Sequence, residues 1–153
     1  MIDIDVHALG DRIGTEVAVG DWVEVAQDRI QQFADATGDH QWIHVDAARA
    51  AVESPFKSTI AHGFLTLSLV STLMREAIRI GGLRMAINYG LNRVRFMSPV
   101  RSGARVRGRF TPAAVEAKGG SLQVTWAVTV ECEREDKPSM IAEWIVRYYP
   151  LGP

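Results

Sequence analysis

Asp39 and His44 lie five positions apart in the segment Ala36-Thr37-Gly38-Asp39-His40-Gln41-Trp42-Ile43-His44-Val45-Asp46, where polar groups crowd around Trp42 and Ile43. A carboxylate and an imidazole on one bend could together hold a water molecule and take a proton from it. Histidine suits that role because it titrates near neutrality, and a positioned acid–base group contributes a rate factor on the order of 10²–10⁴. Spacing alone leaves a second reading open, with Asp39 as a turn residue after a glycine and His44 as a satisfied, half-buried histidine. A metal site made of His40, His44 and Asp46 fits no ligand spacing well, and no metal is expected. His62 reads as a residue that positions the turn into the helix that follows it, and His7 lies in an uninformative segment.

Elements on both sides must hold this bend. Thr15–Val25 alternates loosely around Gly20-Asp21 and predicts a strand. Asp28, three before Gln31, resembles a capping box, and Ile30, Phe33 and Ala34 follow at helical spacing up to Gly38, a natural residue for ending a helix. Asp46 is placed to cap a second short helix through Ala47–Ala51, and Glu53–Ser58 reads as loop. Ile60-Ala61-His62-Gly63-Phe64-Leu65 then opens a long helix to about Ile80, stopped by Gly81-Gly82. Its first half is apolar nearly all round, which predicts burial on most sides.

From there the period changes from 3.6 to 2. Strands are expected over Met85–Val100, Ala104–Val115, Leu122–Cys132 and Met140–Tyr149, with turns at Lys118-Gly119-Gly120 and Asp136-Lys137-Pro138. Each strand is apolar on one face, and the long helix is the element greasy enough to cover that face. The expected class is therefore α+β, a curved antiparallel sheet wrapped around a central helix. Arg93, Arg95, Arg105, Arg107 and Arg109 could grip the phosphates of a ligand. Alternation alone also explains them as a solvated face paired across strands with Glu131 and Glu133.

The 153 residues suit a single domain, 1–153, with a substantial core. A net charge of −1 gives no broad electrostatic case for nucleic acid or an anionic membrane. No apolar run is long enough to span a bilayer, and Asp3 and Asp5 do not suit a signal peptide. The one cysteine, Cys132, excludes an internal disulfide and suits a reducing compartment, so a cytoplasmic location is expected.

With the element order and the bend in hand, the chain resembles the MaoC-like hydratases of the hot-dog fold. Within them it is most similar to the nodulation-protein-N-like branch of (R)-specific enoyl-thioester hydratases, also called 3-hydroxyacyl-thioester dehydratases. The matching residues are the segment 36–46, then Ile60-Ala61-His62-Gly63-Phe64, then Ile87-Asn88-Tyr89-Gly90-Leu91-Asn92-Arg93-Val94-Arg95-Phe96. The resemblance implies a catalytic Asp39 and His44 and a backbone N–H of Gly63 directed at the thioester carbonyl. It implies no metal or redox cofactor, coenzyme A only as part of an acyl-CoA or acyl-carrier-protein substrate, and a homodimer. Gln41-Trp42 stands where many members carry Asn-Pro, a departure expected to reshape the substrate entrance. Two rival readings are a hot-dog thioesterase and a non-catalytic acyl-CoA-binding module. The first usually needs an acidic or amide group near the start of the central helix, where this chain has none; Glu76 is far down it.

Overall fold

In the computed structural model, which describes residues 1–152, the chain opens with β1 (Ile2–Asp5) and a 3₁₀ helix over Val6–Arg12. There follow β2 (Ala18–Val19), β3 (Val23–Glu24), α1 (Gln27–Thr37), α2 (Trp42–Val45), α3 (Ala47–Glu53) and α4 (Gly63–Ala77). The remainder is strand: β4 (Ile78–Gly81), β5 (Leu83–Phe96), β6 (Arg105–Lys118), β7 (Ser121–Cys132) and β8 (Met140–Pro150).

The four long strands pair antiparallel in the order β6–β7–β8–β5, and β2 and β3 both add to the outer side of β6. The alternation seen in the sequence puts Val106 and Phe110 of β6 and Val124, Trp126, Val128 and Val130 of β7 inside. Against them α4 lays Thr66, Val70, Leu73, Met74 and Ala77, a stripe at three- and four-residue spacing. Burying a side chain such as Leu73 contributes about 1.5–3 kcal/mol. The fully buried Trp126 meets its polar requirement inside the core, its indole N–H donating to the Tyr148 hydroxyl at 3.0 Å. The expected α+β sheet-on-helix arrangement is present, and among the described residues no helix is long and apolar enough to cross a membrane.

Several local expectations give way to tertiary context. The long helix does not reach Ile80: it ends at Ala77, and Ile78 is already extended at φ −131° and ψ 131°. Ile78 and Ile80 are β-branched, and their segment pairs in parallel with Ile2–Asp5. Nor is α4 buried on most sides. Phe64 is 69% exposed and Ser68 is exposed, because the sheet covers only the face turned toward β6 and β7. The strand read over Thr15–Val25 is broken at Gly20-Asp21 into β2 and β3. No capping box forms on α1, whose N-cap is Ala26 without a side-chain bond; Asp28 accepts instead from Arg29 N–H, and Gln31 reaches Asp35.

Asp46 does cap α3, accepting from Arg49 N–H at 2.9 Å. On the outer face of β6, Arg105 pairs with Glu133, Arg107 with Glu131, and Arg109 with both Glu131 and Glu16. The cross-strand reading therefore accounts for these three arginines. It does not extend to Arg95, which donates to the Val94 carbonyl.

Candidate active site

The bend begins where α1 stops. Gly38 takes a left-handed conformation, φ 78° and ψ 8°, and its N–H closes onto Ala34 O. A residue with a β-carbon is strained there, and the reversal brings Asp39 out of the helix at the surface. One Asp39 carboxylate oxygen accepts from Gln41 N–H at 3.3 Å. The chain then makes the single turn of α2, which the spacing does not predict, and this turn directs the His44 ring inward to 7% exposure.

Two segments fix His44. Its Nδ1 lies 2.7 Å from the Ile60 carbonyl oxygen. A carbonyl only accepts, so Nδ1 carries the proton and Nε2 keeps its lone pair. Ile60 N–H returns the tie by donating to Ile43 O at 3.0 Å. From the first turn of α1, the Gln27 amide donates to His44 O at 2.8 Å, and the Thr59 hydroxyl donates to the same side chain's Oε1. Burial disfavours the charged ring and holds the His44 pKa below the usual imidazole value. The Ile60 bond works against this, the neighbouring His62 adds to it, and Asp39 opposes it. The result is a neutral imidazole at neutral pH with its basic nitrogen unblocked.

Asp39, His44 and His62 come together, each offering an atom within 4.8 Å of the others. Two hydrogen bonds of about 2.8 Å span such a distance, so one water can bridge the carboxylate and the imidazole. Although the cluster contains ligand types found at metal sites, its rings are ill-disposed for one. His44 and His62 stack 3.8 Å apart at 24°. A metal must lie in the plane of each imidazole that binds it, and nearly parallel planes do not meet close to the rings. His40 and Asp46 do not join the cluster: His40 pairs with Asp35 at 2.8 Å, and Asp46 is occupied capping α3.

Gly63 is the first residue of α4, directly after His62. Leu65 and Thr66 N–H both bond back to His62 O, at 3.0 and 3.2 Å. The Gly63 and Phe64 N–H groups are left ahead of the helical ladder, without an acceptor among the described residues. They stand at the positive end of a 15-residue helix. Gly63 borders a cavity of about 260 Å³ together with Ile60, Ala61, Thr66, Phe96 and Pro99. A β-carbon at Gly63 would stand 3.0 Å from two carbons of the Phe96 ring, so the backbone here is bare and closely approached. Asp39 and His44 do not line that cavity; His62 joins the two places, touching His44 with its ring and preceding Gly63 in the chain. Glu76 is exposed near the far end of α4, away from the bend. Gln27, Thr59 and the Ile60 carbonyl were not singled out in the sequence, and no motif marks them. Only the return of 59–62 onto the bend reveals them.

The profile described as MaoC like domain matches residues 8–133. The chain is 51% identical over 147 residues to Nodulation protein N of Rhizobium leguminosarum bv. viciae, covering 95% of this chain and 91% of the relative. It is 52% identical over 144 residues to 3-hydroxyacyl-thioester dehydratase Z of Mycobacterium tuberculosis, covering 94% of this chain and 95% of the relative. Among solved structures, R-hydratase PhaJ1 from Pseudomonas aeruginosa superposes with a TM-score of 0.74 at 26% identity, over 91% of this chain and 83% of that one.

Proposed function

The chain belongs to the MaoC-like domain family, and from that premise we propose that it is a hydratase/dehydratase interconverting trans-2-enoyl and (R)-3-hydroxyacyl thioesters, with Asp39 and His44 as its acid–base pair. The observation that carries this assignment of roles is the approach of the two groups to within 4.8 Å with His44 Nε2 unblocked.

In the hydration direction, water held between Asp39 and His44 attacks C3 of the enoyl thioester while His44 Nε2 takes one of its protons. The π electrons move toward the thioester, placing negative charge on its oxygen, and the proton passes from His44 to C2. The second water proton stays on the new C3 hydroxyl. Because one site both delivers the oxygen and returns the proton, both add to the same face of the double bond. The Gly63 N–H at the start of α4 stabilises the charged oxygen. Deleting one donor of this kind costs about 3 kcal/mol of transition-state stabilisation. No metal or redox cofactor takes part, and coenzyme A or an acyl carrier enters only as the thioester's handle.

The active species is a homodimer. β5 is a 14-residue edge strand on which Met85, Ile87, Tyr89 and Leu91 are 43%, 44%, 55% and 42% exposed at alternate positions. An edge this long and greasy calls for cover, and a second copy supplies it; sedimentation at twice 16.9 kDa checks that state.

The functional test follows the loss of enoyl-thioester absorbance on adding enzyme. Wild type is expected to remove it and Asp39→Asn to leave it nearly unchanged. Equal rates would overturn the assignment, and free thiol released without hydration would point to thioester cleavage instead.

A further inference from the structure

One side chain holds both members of the pair. His62, 3% exposed and the N-cap of α4, stacks on His44 at 3.8 Å and 24°. It also touches Phe33 of α1, with ring centroids 5.0 Å apart at 53°. Its Nε2 lies 2.9 Å from the main-chain oxygen of Asp39. That oxygen accepts, so Nε2 carries the proton and Nδ1 is bare, and Nδ1 is buried without a partner among the described residues. A buried polar atom left unpaired in a native fold needs a reason. The benefit at this site is the reach of the rest of the ring, which fixes the backbone of one reacting group and the plane of the other.

We propose that His62 is a positioning residue for the hydration reaction, acting on Asp39 through its main-chain carbonyl and on His44 through the ring stack. This inference rests on the roles given above to Asp39 and His44. The His62 ring 3.8 Å away disfavours a proton on His44. The other charged group facing His44 is Asp39, from the α1–α2 bend; Phe33, Gln27 and the Ile60 carbonyl are uncharged. Replacing His62 therefore alters the titration of His44, which a purely space-filling residue would not do.

Two variants separate the parts of this role. His62→Phe keeps a stacked ring and removes both the donor to Asp39 and the electrostatic effect of His62 on His44. His62→Gln restores a donor near Nε2 without the ring. The readouts are kcat, KM, the pH profile of kcat/KM, and the His44 titration followed by NMR on labelled protein, with circular dichroism reporting the fold. For folded His62→Phe, kcat falls on the order of tenfold or more while KM stays within about twofold. The acid limb of kcat/KM and the His44 titration both move to higher pH, and His62→Gln recovers part of the lost kcat. Wild-type kcat with an unmoved His44 titration in folded His62→Phe overturns the proposal. So does a loss of kcat with no movement of the titration and no recovery in His62→Gln. If His62→Phe does not fold, the His44 titration in His62→Gln decides, by whether it moves up. A wild type that does not hydrate, or an Asp39→Asn that matches it, brings down the underlying roles instead, and the NMR titration still reports the coupling of the two rings.

Discussion

Gln27→Met asks whether the bend is held from outside itself. The Gln27 amide donates to the His44 carbonyl at 2.8 Å, and its Oε1 accepts from the Thr59 hydroxyl at 2.5 Å. Methionine preserves length and volume but removes both bonds. Thr59 is 3% exposed, so its hydroxyl has no route to water, and leaving a buried group unpaired costs about 1–3 kcal/mol. The His44 carbonyl loses an ordinary hydrogen bond worth about 1 kcal/mol, so the expected loss is about 2–4 kcal/mol in all. Against a total stability of about 5–15 kcal/mol the variant remains folded. With a urea slope of about 2 kcal/mol/M, its denaturation midpoint falls by about 1–2 M. Thr59→Val is milder, about 1 kcal/mol, because the half-buried Gln27 can turn its free oxygen to water. Together the two substitutions cost less than their sum by about 1 kcal/mol, since valine removes the hydroxyl that methionine leaves stranded. The kcat of Gln27→Met falls on the order of tenfold as the His44 ring loses its register, with KM little changed. A Gln27→Met protein within about 0.5 kcal/mol of wild type in urea, and with its kcat, refutes the reasoning; surface substitutions behave that way.

Two further outcomes are expected. His44 must be neutral to accept a proton, and its pKa lies below the usual imidazole value of 6.5, chiefly through burial. Activity should therefore hold steady through neutrality and fall on an acid limb below pH 6.5, so a kcat/KM profile with its limb at or above that value contradicts the assignment. Stability follows the same sign. Between the folded and unfolded pKa values the unfolded chain binds more protons, so the contribution of neutral His44 is complete above pH 6.5 and is lost as pH falls through the folded value. Arg105→Ala breaks an exposed pair with Glu133 and should leave a thermal melt nearly unchanged. Its KM for a CoA thioester should stay within about twofold; a large rise would restore the phosphate-gripping reading of that arginine face.

What the sequence disclosed was local or periodic. The stop at Gly38, the Asp46 cap and the four long strands follow from residue type and spacing, and so does the pairing of Arg105, Arg107 and Arg109 across the sheet. The end of α4 was hidden because Ile78–Gly81 exchanges a helical turn for pairing with Ile2–Asp5, more than 70 residues away in the chain. The support of the site was hidden for the same reason. Asp39 and His44 sit in a motif, whereas Gln27 and Ile60 reach His44 over 17 and 16 positions and Thr59 reaches Gln27 over 32, with bonds that any chain of these residue types could make or omit. His62 was visible as the turn before a helix. Its stack on His44 depends on how the bend and α4 are brought together, which no spacing encodes.

The acceptor that sets the His44 tautomer is the peptide oxygen of Ile60, not a side chain. Every amino acid carries that oxygen, so no single replacement at position 60 can delete it, and only a change in the path of the backbone moves it. A site oriented by a carboxylate can be disabled by one base change in its gene. Here the sequence at position 60 is free to drift while the proton stays on the same nitrogen, and the fold itself, not a particular residue, keeps the base ready.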